Sequence, residues 1–396
     1  MTLSPSEYLA LDATAMAEAV AAGDVSPAEL HAAATARHAV TDGQIHAVVE
    51  WYETPSWGTV GSPGRGVATD RLDGVPFLRK DYGSAEAGRL VECGSRLAAG
   101  VVAQTTDPFY ERLDTAGATV VGRTAVPEFI QHGTTESRAF GVTRNPHARD
   151  WSAGGSSGGA GAAVAAGVVP LAHATDCAGS IRIPAATCGL FGLKPSRRRV
   201  PWPDGGWGGI AEEFVVTRTA RDAQRAWRVL ADRPVAALPH SPIGPLLVGL
   251  STGHWSGHDA DPVVVAAAEH VAQRCAALGH EIVPIDGCPF DYERSMDTWH
   301  ACFSRWVAAD VRRVAELTGR PLDATTLEPL TLGVIERVDR LTVDDITAAQ
   351  IAQGQTAFQL NRTFDRIDVL LTPALGRPGI PLDWVHGEID SVDTCL

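Results

Sequence analysis

Apolar and polar positions along this chain alternate in blocks that predict helices and strands in turn. Ser6–Ala22 and Ser26–Ala39 are Ala-rich with charged residues scattered along them, and each predicts one packing helix. The second carries its own start signal: Ser26 as N-cap, Pro27 at the first helical position and Glu29 closing a capping box. Further helices are predicted near Asp107–Ala116, from Gly159 to about Gly167, and over Asp261–Leu278, where Asp261 caps and Pro262 leads. Most of Phe290–Asn361 also reads as helix, with a turn at Thr318–Pro321. Short apolar runs predict strands at Gly74–Lys80, Ala118–Val121, Val168–Ala174, Leu246–Leu250, Glu281–Ile285 and Asp368–Leu371. Thr54–Gly66 and Pro201–Gly209, rich in Gly, Pro, Ser or Trp, read as connections. The alternation predicts α/β layering.

Composition narrows the class. The chain has 396 residues, 45% of them hydrophobic, enough for a sizeable core. Its 33 basic and 47 acidic residues give a net charge of −14, which argues against direct nucleic-acid binding or an anionic-membrane partner. The N-terminal segment has no basic start and carries Glu7, Asp12 and Glu18, unlike a signal peptide, so a cytoplasmic location is expected. Seven cysteines without CxxC spacing read as free thiols in a reducing compartment, and no metal site or cofactor is expected.

The chemistry concentrates in residues 152–200. No Asp, Glu, Lys or Arg occurs from Trp151 to Thr175; its glycines and Pro170 mark buried small-residue packing rather than a membrane span. Ser156 and Ser157 lie between glycines, and Ser180 follows Gly179. Glycine beside serine lets backbone N–H groups converge on an oxygen, as acyl transfer requires. Such a serine needs a base. His173 lies seven residues before Ser180 but inside a predicted strand, where it reads as a satisfied core histidine. No GxSxG elbow surrounds Ser180, which leaves a Ser-His-Asp triad without support. Lys80 is the other candidate, provided that burial beside Phe77 and Leu78 lowers its affinity for a proton; a solvated lysine after a strand is the plain alternative. Gly159-Ala-Gly161 opening a helix raises a nucleotide-binding reading, but no P-loop lysine follows.

Three motifs in order, Gly74–Asp81, Gly154–Gly159 and Asp176–Ala185, resemble the amidase signature family of serine hydrolases. Pro127–Phe129, Gly133–Glu136, Thr143–Pro146 and Gly189–Pro195 flank them in agreement. The resemblance covers about residues 70–200 and is strongest to the bacterial amidases that include the cyclic-amide (nylon-oligomer) hydrolases. It implies a mixed, mostly parallel central sheet flanked by helices. Residues 1–396 would form one amidase domain, with the core motifs in 70–200 and a mostly helical substrate-side lobe over 200–365. Residue by residue, it implies Ser180 as nucleophile, Ser156 as a bridging serine on a cis peptide bond and Lys80 as the ultimate base. The N–H groups of Cys177, Ala178, Gly179 and Ser180 would line the oxyanion hole, with Ser157, Asp176 and Arg182 supporting. The implied reaction is hydrolysis of a small-molecule amide, linear or cyclic.

Two departures matter. Ala178-Gly179 stands where the family usually has Gly-Gly, with Cys177 ahead as a conceivable rival nucleophile. Family members also continue well past the Leu371-Thr-Pro373 strand, so either the sheet closes differently, a homodimer or partner chain completes it, or the sequence is truncated; an open apolar edge would favour self-association. That shortness keeps two alternatives in view: the A-type subunit of a glutamine-dependent amidotransferase, and an inactive family member. Trp207, Trp299 and Phe303 are candidate pocket aromatics, with ordinary core packing as the alternative; Arg197–Arg199 read as a solvated cluster.

Overall fold

Capping chemistry sets the first elements of the computed structural model, which describes residues 3–59, 71–203, 205–232 and 244–382. The predicted helix over Ser6–Ala22 is two helices, α1 (Pro5–Ala10) and α2 (Ala13–Ala22). Asp12 separates them: its carboxylate accepts the Ala15 N–H at 2.9 Å and is held by Arg221 and Thr219, so the chain turns there. α3 (Pro27–Ile45) begins with the Ser26/Glu29 capping box and runs six residues beyond the predicted end.

By its contacts the chain divides into two units. The first holds the described residues up to 232 together with 313–328 and 380–382; the second holds 244–312 and 329–379. In the first unit six strands form one sheet: β1 (Val48–Trp57), β2 (Pro76–Lys80), β3 (Thr119–Thr124), β4 (Leu171–Asp176), β5 (Phe191–Gly192) and β6 (Glu212–Thr217). Their order is β1-β3-β2-β4-β6-β5. The predicted mixed α/β sheet is present. Its parallel pairs are the central β3-β2-β4, and the pairs outside them are antiparallel. Central strands β2, β3 and β4 are buried along their length, and Arg79, Lys80, Arg123, His173 and Asp176 are buried with their apolar neighbours. α4 (Pro108–Thr115), α5 (Gly158–Ala165), α6 (Arg182–Thr187) and α7 (Ala220–Leu230) complete the elements that frame the sheet.

The second unit has a parallel three-stranded sheet, β7 (Leu247–Leu250), β8 (Glu281–Pro284) and β9 (Val369–Leu371), ordered β8-β7-β9. α8 (Pro262–Ala277) starts from the Asp261 cap, and Pro329–Arg340 and Val343–Asn361 are further helices. Tyr292–Thr318 is a 27-residue helix. β1, β6 and α7 are additional to the predicted elements; α7 starts from a Thr219 cap that accepts the Asp222 N–H. Thr54–Trp57, expected as part of a connection, instead form the end of β1, paired with β3; the rest of that connection beyond residue 59, and the C-terminal residues from 383 on with Cys395, lie outside the described residues. The remaining six cysteines are free thiols. No helix among the described residues is long and apolar enough to cross a membrane.

Candidate active site

The site grows from the ends of β2 and β4 and from the loop between Ser152 and α5. That loop is clamped by its own neighbours. Thr135 Oγ1 accepts the Gly158 N–H at 3.0 Å and donates to the Gly154 carbonyl at 2.9 Å, and Ser152 Oγ accepts the Gly154 N–H at 3.1 Å. Gly155 lies flat against the neighbouring chain: a Cβ there would sit 2.2 Å from the Thr134 carbonyl oxygen, so only glycine fits. The Gly155–Ser156 peptide bond is cis. Ser157 occupies the N-cap position of α5 but spends no side-chain hydrogen bond on the cap.

Lys80, at the end of β2, is fully buried. Its Nζ lies 2.9 Å from Ser156 Oγ, 2.8 Å from Ser157 Oγ and 2.7 Å from Thr175 Oγ1. All three hydroxyl-bearing residues are buried as well, and no carboxylate among the described residues forms an ion pair with the amine. Burial therefore dominates and lowers the Lys80 amine to about 7, while the charges of Asp176 and Glu213 pull the other way. The solvated-lysine alternative is excluded by this burial.

Asp176, at the end of β4, organises the turn that follows. Its carboxylate accepts the N–H of Gly179 at 2.7 Å and of Ile181 at 3.2 Å, and Arg182 grips it through Nε at 2.8 Å and a terminal nitrogen at 2.7 Å. Burial opposes the charge, but Arg182 and these amides hold the carboxyl below its ordinary value. The Gly179 N–H is already engaged by Asp176, whereas those of Cys177, Ala178 and Ser180 make no hydrogen bond among the described residues. Ser180 is half-buried on the same turn, and its hydroxyl forms no hydrogen bond to Ser156. Cys177 is a poor rival nucleophile, because burial and the Asp176 charge push its thiol far above the ordinary range.

His173 is a satisfied core residue, as its place in a strand suggested: Nδ1 lies 3.0 Å from the Tyr110 hydroxyl and Nε2 3.1 Å from Glu213 Oε2. Trp207 is buried, with its ring edge-on to Tyr82 at 5.9 Å, and Trp299 stacks on Phe303 at 5.3 Å. Arg197 and Arg198 are exposed; Arg199 is half-buried over the Trp227 ring. Thr175 and Glu213 were not anticipated from sequence. Thr175 sits directly before Asp176 in the third motif, which was the available signal; nothing local marks Glu213. No group of three His, Cys, Asp or Glu side chains suited to a metal ion occurs among the described residues.

Comparison with known proteins bears on the same residues. The family model described as Amidase matches residues 36–390. A 6-aminohexanoate-cyclic-dimer hydrolase from Paenarthrobacter ureafaciens is 34% identical over 388 residues, covering 92% of this chain and 78% of that enzyme. A solved structure of a 6-aminohexanoate cyclic dimer hydrolase complexed with substrate aligns over 94% of this chain and 81% of that one, with a TM-score of 0.86 and 30% identity. A bacterial aryl acylamidase of the amidase signature enzymes aligns at TM-score 0.81 and 27% identity, over 94% of this chain and 81% of that chain.

Proposed function

The chain belongs to the amidase family, and from that premise we propose that it cleaves a carboxylic amide through an acyl group carried on Ser180, with Ser156 and Lys80 as the proton relay. It is an amidohydrolase acting on carboxylic amides, linear or cyclic. The observation that carries the finer reading is the lysine: a fully buried amine, lowered to about 7, touching three hydroxyls and paired with no acid.

Proton bookkeeping supports a direction for the relay. Ser157 donates its hydroxyl to the Thr175 carbonyl at 3.3 Å, so towards Lys80 it acts as acceptor. Neutral Lys80 has two N–H groups and one lone pair. With its N–H groups directed at Ser157 and Thr175, the lone pair faces Ser156. Ser156 passes its proton to Lys80 and takes one from Ser180 as that oxygen attacks the amide carbonyl. The free N–H groups of Cys177, Ala178 and Ser180 receive the developing oxyanion; a donor of this kind is worth about 3 kcal/mol. The protonated amine then returns its proton through Ser156 to the leaving nitrogen. Water releases the acyl group by the same path, giving a carboxylate and an amine. The Ser156–Ser180 contact closes with substrate seated, since catalytic hydrogen bonds are often long in unliganded enzymes.

The likeness to a 6-aminohexanoate-cyclic-dimer hydrolase and to an aryl acylamidase makes cyclic diamides and aryl amides the first substrates to try. Intact-protein mass spectrometry with an aryl amide panel and a cyclic diamide tests the assignment. An acyl adduct mapping to Ser180, and absent in Lys80→Ala, is expected; an adduct on Cys177 or on no residue during turnover would overturn it.

A further inference from the structure

Behind Thr175, one strand further into the sheet, lies a buried polar group that the relay does not use. β4 and β6 pair antiparallel so that Glu213 stands directly across from Thr175. Partners of this type project from the same face with Cβ atoms about 5 Å apart. His173, two residues before Thr175 on that face, meets Glu213 Oε2 at 3.1 Å. Ser84 donates its N–H to Oε2 at 3.1 Å and its hydroxyl to Oε1 at 2.5 Å. The loop after β2 closes over this cluster at Gly83, whose φ is +96°. A Cβ there would lie 2.8 Å from Thr175 Cγ2, 3.2 Å from His173 Cε1 and 3.3 Å from Glu213 Oε2. The threonine that touches Lys80, the histidine and the carboxylate thus converge on one point.

Donor and acceptor roles in the cluster follow one from another. Burial raises the Tyr110 phenol well above its ordinary range, so it keeps its proton and donates to His173 Nδ1. Burial also lowers His173, which is neutral; with Nδ1 accepting, its proton sits on Nε2 and goes to Glu213. Glu213 therefore receives donors that carry no charge, and no Lys or Arg among the described residues pairs with it. Asp176, the other carboxylate acting on Lys80, is already neutralised by Arg182. Other groups that act on the cluster are Arg79 from β2, felt by His173 and Tyr110; Tyr52 from β1 and Glu86, felt by Tyr110; and Glu212, next to Glu213 on β6, which feels its charge.

We propose that Glu213, oriented by His173 and Ser84, is the counter-charge that sets how readily Lys80 releases its proton. It is a positioning residue and touches no substrate. The inference rests on the reading of Lys80 as base. Desolvation works against a base, because it weakens the amine's hold on the proton it must draw from serine. An unneutralised anion behind Thr175 restores basicity without forming the direct ion pair that would lock the amine in its charged form.

The sequence supplies a clean readout, because Lys80 and Lys194 are the chain's lysines. In protein labelled with 13C-lysine, the ε-CH₂ resonances titrate with the amine, and Lys194→Arg identifies the Lys80 signal. In Glu213→Gln, which keeps the size of the side chain and, with its NH2 donating to Ser84 Oγ, its contacts, the Lys80 midpoint should fall by about one pH unit. The acidic limb of kcat/KM should move down with it. Tyr110→Phe removes a hydrogen bond of the cluster without changing charge and should leave both where they were. An unmoved midpoint in folded Glu213→Gln, or an equal displacement in Tyr110→Phe, overturns the proposal. A midpoint that moves while the limb stays put supports the coupling and overturns Lys80 as base instead. Should Glu213→Gln fail to fold, Glu213→Asp withdraws the charge by one methylene; a smaller downward displacement supports the proposal and none overturns it.

Discussion

Lys80 and Asp81 are consecutive, both fully buried, and held in opposite ways. Asp81 meets Arg123 at 2.6 Å and accepts the N–H groups of Glu92 and Gly94 at 2.8 and 3.1 Å; Arg123 in turn holds Glu92 at 2.7 Å and Glu50 at 3.1 Å. Burial pushes the Asp81 carboxyl up, and the guanidinium and amides pull it back. Lys80 has hydroxyls where Asp81 has charge. One residue is surrounded by a guanidinium and N–H donors, and its neighbour by hydroxyls alone. Burial is common to both; the ligands differ.

The sharpest way to break this contrast is to remove the amine. Lys80→Met should lower kcat by about 10⁴-fold or more while the melting temperature holds or rises, since a buried amine without an acid adds little stability. Asp81→Asn should do the reverse. It strips Arg123 of its closest partner, costs about 3 kcal/mol of stability in denaturant titrations, and leaves kcat of the folded fraction near the parent value. A catalytic collapse in Asp81→Asn at full stability would erase the distinction.

The pH dependence follows from the same asymmetry. With the Lys80 amine lowered from 10.5 to about 7, kcat/KM should rise through pH 7 and level above it. Stability carries the matching sign. Between about pH 7 and 10.5 the unfolded chain holds a proton that the fold does not, so unfolding free energy rises with pH across that window. The slope should reach about 1 kcal/mol per pH unit and should vanish in Lys80→Met. The smallest effect is expected from Ser157→Ala, which removes one of the three hydroxyls around the amine: about tenfold in kcat, with the pH profile displaced rather than lost.

Much of the site was legible because its chemistry is written in local strings. Glycines around Ser156 and Ser180, the strand ending in Lys80 and the Asp176/Arg182 pair sit in short motifs, and the Ser26/Glu29 capping box names its own helix. What escaped detection depends on pairing across the sheet. Glu213 lies in an Glu-Glu-Phe-Val-Val run that looks like any half-exposed segment, and only the register of β6 against β4 carries it behind Thr175. The engagement of the Gly179 N–H by Asp176 likewise requires the closed turn. The split at Asp12 was hidden for a similar reason, since Arg221, its partner, lies 209 positions away.

Sealing the amine beneath Ser156 has a chemical benefit of its own. A primary amine without its proton attacks esters faster than a hydroxyl does, so an exposed Lys80 would intercept the acyl group and end turnover as a stable self-amide. Enclosed by Ser156, Ser157 and Thr175, the amine of the proposed relay would exchange protons with the site and stay off the path of the acyl carbon.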